Sequence, residues 1–352
     1  MWTRCWRPPR HCEARVCASF AVAPARGRGP LALPRDIFGP MKTATLCEMA
    51  VEVFETPDGR AKTALSRAHA ARWFEAREAG EDIPIGQASP PLRPARPSAP
   101  ELRDPRDVPK RKPGSPEGRI ALLHAVAHIE LNAVDLHWDL IARFGHIDMP
   151  VGFYDDWVKA ADEESKHFNL VSDCLEAVGS HYGALPAHAG MWRAAEDTKD
   201  DLLGRLAVVP MVLEARGLDV TPGMIEIFRK AGAKDAVAAL ETIYAEEVGH
   251  VAYGSKWFHF LCGRDNQDPK PVFHDLVRRY FHGPLKPPFN EENERKRACP
   301  PISTGRFRQR VRIGRKPLIR RLEAPSRSVS LPQFCSEVNT LGAGRDRTCT
   351  HA

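Results

Sequence analysis

From Ser115 to Leu261 the apolar residues of this chain recur every three or four positions, the period of helices that bury one face. Ser115-Pro116-Glu117 opens the first long helix, because serine caps a helix N-terminus and proline suits the first turn. Its stripe is Leu123, Val126, Ala127, Ala133, Val134, Leu140, Ile141 and Phe144, and Gly145 is its stop. A second helix is predicted from near Phe153 to about Val178, with Gly179 beyond it. A third runs from about Met191 to Arg216 and stops at Gly217; Thr221-Pro222 then caps a short helix to about Ala231. The fourth runs from about Asp235 to Leu261 on a stripe of Ala236, Leu240, Ile243, Val251, Gly254, Phe258 and Leu261. No stretch alternates convincingly enough for a strand. The expected fold class is all-α, an antiparallel four-helix bundle.

Outside that span the period weakens. Residues 41–79 read as two short helices divided by the turn signal Asp58-Gly59. The prolines of residues 83–114 forbid helix and strand interiors, which leaves an extended strap or linker. The two ends carry no period and are rich in arginine. Both are expected to be disordered, and the residues before Met41 read as translation from a start upstream of that methionine. The expected organisation is a disordered extension at 1–40, short helices and a proline-rich strap at 41–114, the bundle at 115–294 and a disordered basic tail at 295–352.

Charge changes this picture in one respect. The chain of 352 residues has a net charge of +6, but residues 1–40 hold +5 of it and residues 300–352 hold +8, so 41–299 carries −7. A nucleic-acid partner is therefore not expected, and an RNA substrate ranks low. Nine cysteines without a CxxC pair argue against a disulfide framework or a thiolate zinc site and for a cytoplasmic protein. No apolar run reaches the roughly 18 residues of a membrane span, so no membrane partner is expected.

Acid and imidazole interrupt each apolar stripe. Glu130 lies on the first, Glu164 and His167 on the second, Glu214 on the third, Glu247 and His250 on the fourth. The stretches EESKHF and EEVGHV place Glu-x-x-His twice, 83 residues apart, and residues three apart share a helix face. Glu130 precedes Glu164 by 34 residues and Glu214 precedes Glu247 by 33, so one helix pair is written twice. Four buried carboxylates repel one another, and two divalent cations remove that cost. Mixed oxygen and imidazole donors suit iron or manganese. The expectation is two iron ions, with manganese as the other choice, held by Glu130, Glu164, His167, Glu214, Glu247 and His250. Glu130 and His167 would serve one ion, Glu214 and His250 the other, with Glu164 and Glu247 bridging or shifting between them.

Glu163 and Glu246 lie one residue off that face and read as solvated or as supports for the ligands. His137 lies two turns beyond Glu130 on the same face and reads equally as core packing, as a support for the ligands or as part of a substrate channel. His124, His128, Tyr244, Cys174 and Cys262 read as packing residues. Pro210, one turn before Glu214, reads as a kink that opens a coordination position or as a tolerated irregularity. The strap cations Arg93, Arg96, Arg103, Arg106, Lys110, Arg111 and Lys112 are interleaved with acids and read as solvated.

Residues from roughly Met41 to Glu294 resemble the bacterial ferritin-like proteins classed as domain of unknown function 455. GSPEGRIALLHAVAHIELNAVDL, AADEESKHF, PMVLEARGLDVTP and ETIYAEEVGHVAYG carry the resemblance, and PLKPPFNEE looks like the family's ending. More distantly, the EARG stretch and the paired motifs are similar to tRNA-modifying di-iron hydroxylases. The favoured expectation is a non-haem di-metal oxidoreductase that uses dioxygen or peroxide on a small-molecule substrate, with electrons from a partner protein. The alternatives are iron oxidation, storage or detoxification without substrate turnover, and a helical binding module.

Overall fold

The computed structural model describes residues 44–282, apart from 105, 106, 108, 110, 111 and 189. The expectations for 1–40 and 295–352 lie outside the described residues. The fold is all-α. Its helices are α1 (Leu46–Phe54), α2 (Gly59–Ala79), α3 (Pro116–Phe144), α4 (Val151–Ala177), α5 (Gly190–Asp197), α6 (Leu202–Val208), α7 (Ala215–Lys230), α8 (Lys234–Arg264) and α9 (Pro269–Tyr280), with a π-helical turn at Val209–Glu214. No described helix is long and apolar enough to cross a membrane.

The local signals act as the sequence suggests at most ends. Ser115 Oγ accepts from the Gly118 N–H at 3.0 Å and starts α3; Asp58 Oδ1 accepts from the Ala61 N–H at 2.8 Å and starts α2. Gly179, at φ +75°, follows α4, where a side chain would be strained. α3 packs along α4, α4 along α8, and α8 along the row formed by α6, the π-helical turn and α7. α1 and α2 cover α3 and α4 from outside.

The third predicted helix is corrected in two places. It breaks at residues 198–201, because the Arg205 side chain is buried there. The guanidinium donates to Thr198 Oγ1 at 2.9 Å and to the Ala195 carbonyl at 2.8 Å, and Asp201 caps a fresh start by accepting from the Gly204 N–H. The helix then passes through Gly217 and Thr221-Pro222 without stopping. The Thr221 hydroxyl donates to the Gly217 carbonyl at 2.8 Å, and Pro222 sits inside α7. The expected absence of strands is also corrected. β1 (Leu102–Arg103) pairs in parallel with β2 (Ala187–His188), too short for any alternation to reveal.

The strap is held down by backbone hydrogen bonds, and its cations Arg93, Arg103 and Lys112 stay exposed, as a solvated strap requires. Leu46 and Cys47 N–H groups donate to the Pro84 and Ile85 carbonyls, both at 2.9 Å, and Ala95 N–H donates to the Phe54 carbonyl at 3.0 Å. Arg96 donates to Asn132 Oδ1 at 2.6 Å, Arg93 pairs with Glu196 and Arg103 with Glu101. Arg106, Lys110 and Arg111 lie outside the described residues. Because the strap, α1, α2 and α5 cover its back, α3 is buried on every side from residue 130 to 142. One apolar cluster, including Trp138, Phe153, Trp157, Met211 and Phe258, fills one end of the bundle; another, including Leu123, Leu131, Phe168, Phe228 and Leu240, fills the other. Cys47, Cys174 and Cys262 are buried free thiols.

Candidate metal centre

Between the two apolar clusters the inner faces meet in a polar cluster. α3 supplies Glu130, α4 supplies Glu164 and His167, the last residue of the π-helical turn is Glu214, and α8 supplies Glu247 and His250. All six are buried. The π-helical turn follows from Pro210, which has no N–H to give the preceding turn and clashes with its carbonyl, so the helix widens. Gly254 lets α8 approach this turn. A Cβ there would lie 2.5 Å from Pro210 Cβ and Cγ.

His167 Nδ1 lies 3.4 Å from both Glu130 Oε2 and Glu164 Oε2. His250 Nδ1 lies 3.0 Å from Glu164 Oε1 and 3.5 Å from Glu247 Oε2. Glu164 therefore stands between the two imidazoles, with one oxygen toward each. Among the described residues, buried oxygens of Glu130, Glu164, Glu214 and Glu247 and the Nδ1 of His250 have no hydrogen-bond partner; both oxygens of Glu214 are in this state. Such atoms are costly unless something else meets them. Among the described residues, three overlapping groups could hold a metal ion: Glu130, Glu164, His167 and Glu247; Glu214, Glu247 and His250; and His137, Glu164 and His250. Within each group the donor atoms all lie within 4.8 Å of one another.

Glu163 and Glu246 are supports rather than solvated residues. His167 Nε2–H donates to Glu246 Oε2 at 2.8 Å, and His250 Nε2–H donates to Glu163 Oε2 at 3.0 Å. Each histidine is thus gripped by the first glutamate of the opposite motif. The donation places a proton on Nε2 and turns Nδ1 toward the carboxylates, which is how an outer carboxylate orients a metal-binding imidazole. The doublet Glu-Glu in both motifs was the available signal. Lys166 Nζ also binds Glu246, at 2.5 Å.

The electrostatics are those of a crowded anionic core. Burial, then the neighbouring carboxylates, hold Glu130, Glu214 and Glu247 above the usual carboxylate range. Burial also acts on Glu164, but the flanking imidazoles of His137, His167 and His250 outweigh it and hold this carboxyl well below its ordinary value. Burial opposes charge on His167 and His250, yet their carboxylate partners raise both well above the ordinary imidazole value. The His167 hydrogen bond is the largest cause that brings Glu246 down to about 2.

The remaining candidates separate clearly. His137 joins the cluster, its Nε2 3.7 Å from Glu164 Oε1 and 3.6 Å from Glu214 Oε1. His128 does not: its ring bonds Tyr182 Oη at 2.9 Å and the His188 carbonyl at 3.0 Å. His124 Nε2 accepts from the Gly183 N–H at 2.9 Å. Tyr244 packs half-buried against Ala215, Leu218 and Val251.

One curated relative, an uncharacterized protein from Haemophilus influenzae, is 42% identical over 191 residues; the match covers 53% of this chain and 66% of that protein, just under two thirds of its length. No solved structure matches. The family model described as "Protein of unknown function (DUF455)" matches residues 55–300, which spans every residue of the cluster, and the chain belongs to that family.

Proposed function

We propose that this protein is a ferritin-like, non-haem di-metal carboxylate oxidoreductase of the cytoplasm. What supports the reading most is the meeting of four buried carboxylates with the imidazoles of both Glu-x-x-His motifs, with at least one oxygen of each carboxylate and the Nδ1 of His250 left without a hydrogen-bond partner. Glu130, Glu164, His167, Glu214, Glu247 and His250 would hold two ions. Two divalent cations balance the four carboxylates, and the oxygen–nitrogen donor mixture favours iron, with manganese next. Iron or manganese there would supply a redox couple and open positions for dioxygen or peroxide.

The chain's own residues have three tasks in this reading. Glu163 and Glu246 hold the two imidazoles in one tautomer and orientation. Glu164, flanked by both imidazoles, stays ionised at neutral pH and serves both positions. The apolar clusters at each end keep bulk water from the centre and offer a small, largely apolar substrate its surroundings. Electrons would come from a partner protein, since the sequence carries no flavin or nicotinamide fingerprint.

Dioxygen consumption by the ferrous-loaded full chain separates this reading from iron handling. Repeated turnover when a chemical reductant is renewed is the expected result. A single stoichiometric uptake followed by accumulation of ferric iron on the protein would favour metal oxidation and storage. No uptake at all contradicts both.

A further inference from the structure

We infer that His137 is a third imidazole donor in this centre, and that it makes the two ion positions unequal. The inference rests on the two-metal reading above.

His137 is 1% exposed, and its Nε2 has no hydrogen-bond partner. A histidine used only for packing normally finds a partner for each buried nitrogen. His128, nine residues earlier on the outer side of the same helix, does so with Tyr182 and the His188 carbonyl. His137 Nε2 instead faces carboxylate oxygens of two other helices at 3.6 and 3.7 Å, beyond hydrogen-bond range. Donors that share one ion at about 2.1 Å lie roughly 3 Å apart when adjacent and about 4.2 Å apart when opposite. Both separations fall between those limits. The Trp157 ring stacks on the imidazole, centroids 5.4 Å apart and planes 27° from parallel, and holds its plane.

The internal repeat shows that this donor has no twin. His137 follows Glu130 by seven residues, and the residue seven beyond Glu214 is Thr221. The Thr221 hydroxyl is taken by the Gly217 carbonyl of its own helix. One ion position therefore draws on Glu130, Glu164, His167 and Glu247. The other draws on Glu214, Glu247 and His250 and adds His137 beside Glu164. The position with two imidazoles has the larger donor set and binds its ion more tightly.

Cobalt(II) titration of the full chain, followed by visible absorption and by cobalt content after gel filtration, tests this. The wild-type chain is expected to bind in two steps of different affinity. His137→Ala and His137→Gln should weaken the tighter step by about 10–100-fold or more and change the absorption of the first equivalent. Millimolar imidazole should restore the tighter step in His137→Ala. Thr221→Ala should leave both steps alone. Far-UV circular dichroism confirms that each variant keeps its helices, and the glutamine variant preserves volume and polarity if the alanine variant does not fold. Two unchanged steps in both His137 variants would overturn the inference while leaving the two-metal reading intact. A wild-type chain that binds no cobalt would overturn both.

Discussion

Helix α3 buries charge on two faces, and the two faces are finished differently. On the outer face Asp135 pairs with the buried Lys62 ammonium, and Asp139 receives Arg205 Nη1 at 2.7 Å together with Arg143. One oxygen of Asp135 is without a partner, but each carboxylate has a cation supplied by the chain. On the inner face Glu130 joins Glu164, Glu214 and Glu247, and no lysine or arginine is paired with any of the four among the described residues. Lys166 and Lys159 approach only the outer glutamates, Glu246 and Glu163. A buried carboxylate with an internal counter-ion is part of the scaffold. A group of them without one is a place for a cation from outside. The contrast predicts opposite responses to substitution on the two faces.

The largest effect is expected on the outer face. Arg205→Met leaves Asp139 with Arg143 alone and should cost about 3–5 kcal/mol in chemical denaturation, with metal content per folded chain unchanged. Gly254→Ala strikes the joint between α8 and the π-helical turn, where the new methyl meets the Pro210 ring; overpacking there should cost about 2 kcal/mol and lower metal retention. On the inner face the sign reverses. In chelator-treated protein Glu214→Met removes two partnerless oxygens and should raise stability by about 1–2 kcal/mol. In protein supplied with ferrous iron the same variant should retain less metal, read by elemental analysis.

The pH dependence is the gentlest of these tests, at most about 1.4 kcal/mol per pH unit for each proton. Glu130, Glu214 and Glu247 are raised above the ordinary 4.5, and His167 and His250 above the ordinary 6.5. A raised group stabilises fully below its unfolded value and loses that contribution as pH climbs through its folded value. The chelator-treated chain should therefore lose stability from pH 5 upward, about the ordinary carboxylate range. Glu164 and Glu246 are depressed and act with the opposite sign, but only below that window. Metal retention should run the other way and fail on acidification, because protons compete for the same donors. Thermal melts and metal content across pH 5–9 check both halves.

Much of the inner face was readable in the sequence, because a helix turns an interval of three residues into a shared face. That rule brought Glu164 together with His167 and Glu247 with His250, and the matching intervals to Glu130 and Glu214 brought in the other two helices. The outer face was not readable. Asp135 and Asp139 look like ordinary polar positions until Lys62 and Arg205 arrive from distant segments. The break before α6 was hidden for the same reason, since it follows from burying Arg205 against a helix 66 residues away in sequence, at Asp139. Gly217 carries a local stop signal and Thr221-Pro222 a local start signal, and the packing of α7 on α8 overrides both. His137 has the spacing of a core residue, and only the convergence of α4 and the π-helical turn places it beside Glu164 and Glu214.

The most direct test is elemental analysis of the full chain purified without chelator, beside a Glu164→Ala, Glu247→Ala double variant that retains its helical circular dichroism. About two iron or manganese atoms per wild-type chain, lost in the double variant, is the predicted result. A wild-type chain that holds no transition metal, even after anaerobic reconstitution with ferrous iron, would contradict the account and leave the inner carboxylates as a proton-sharing core of a helical binding module.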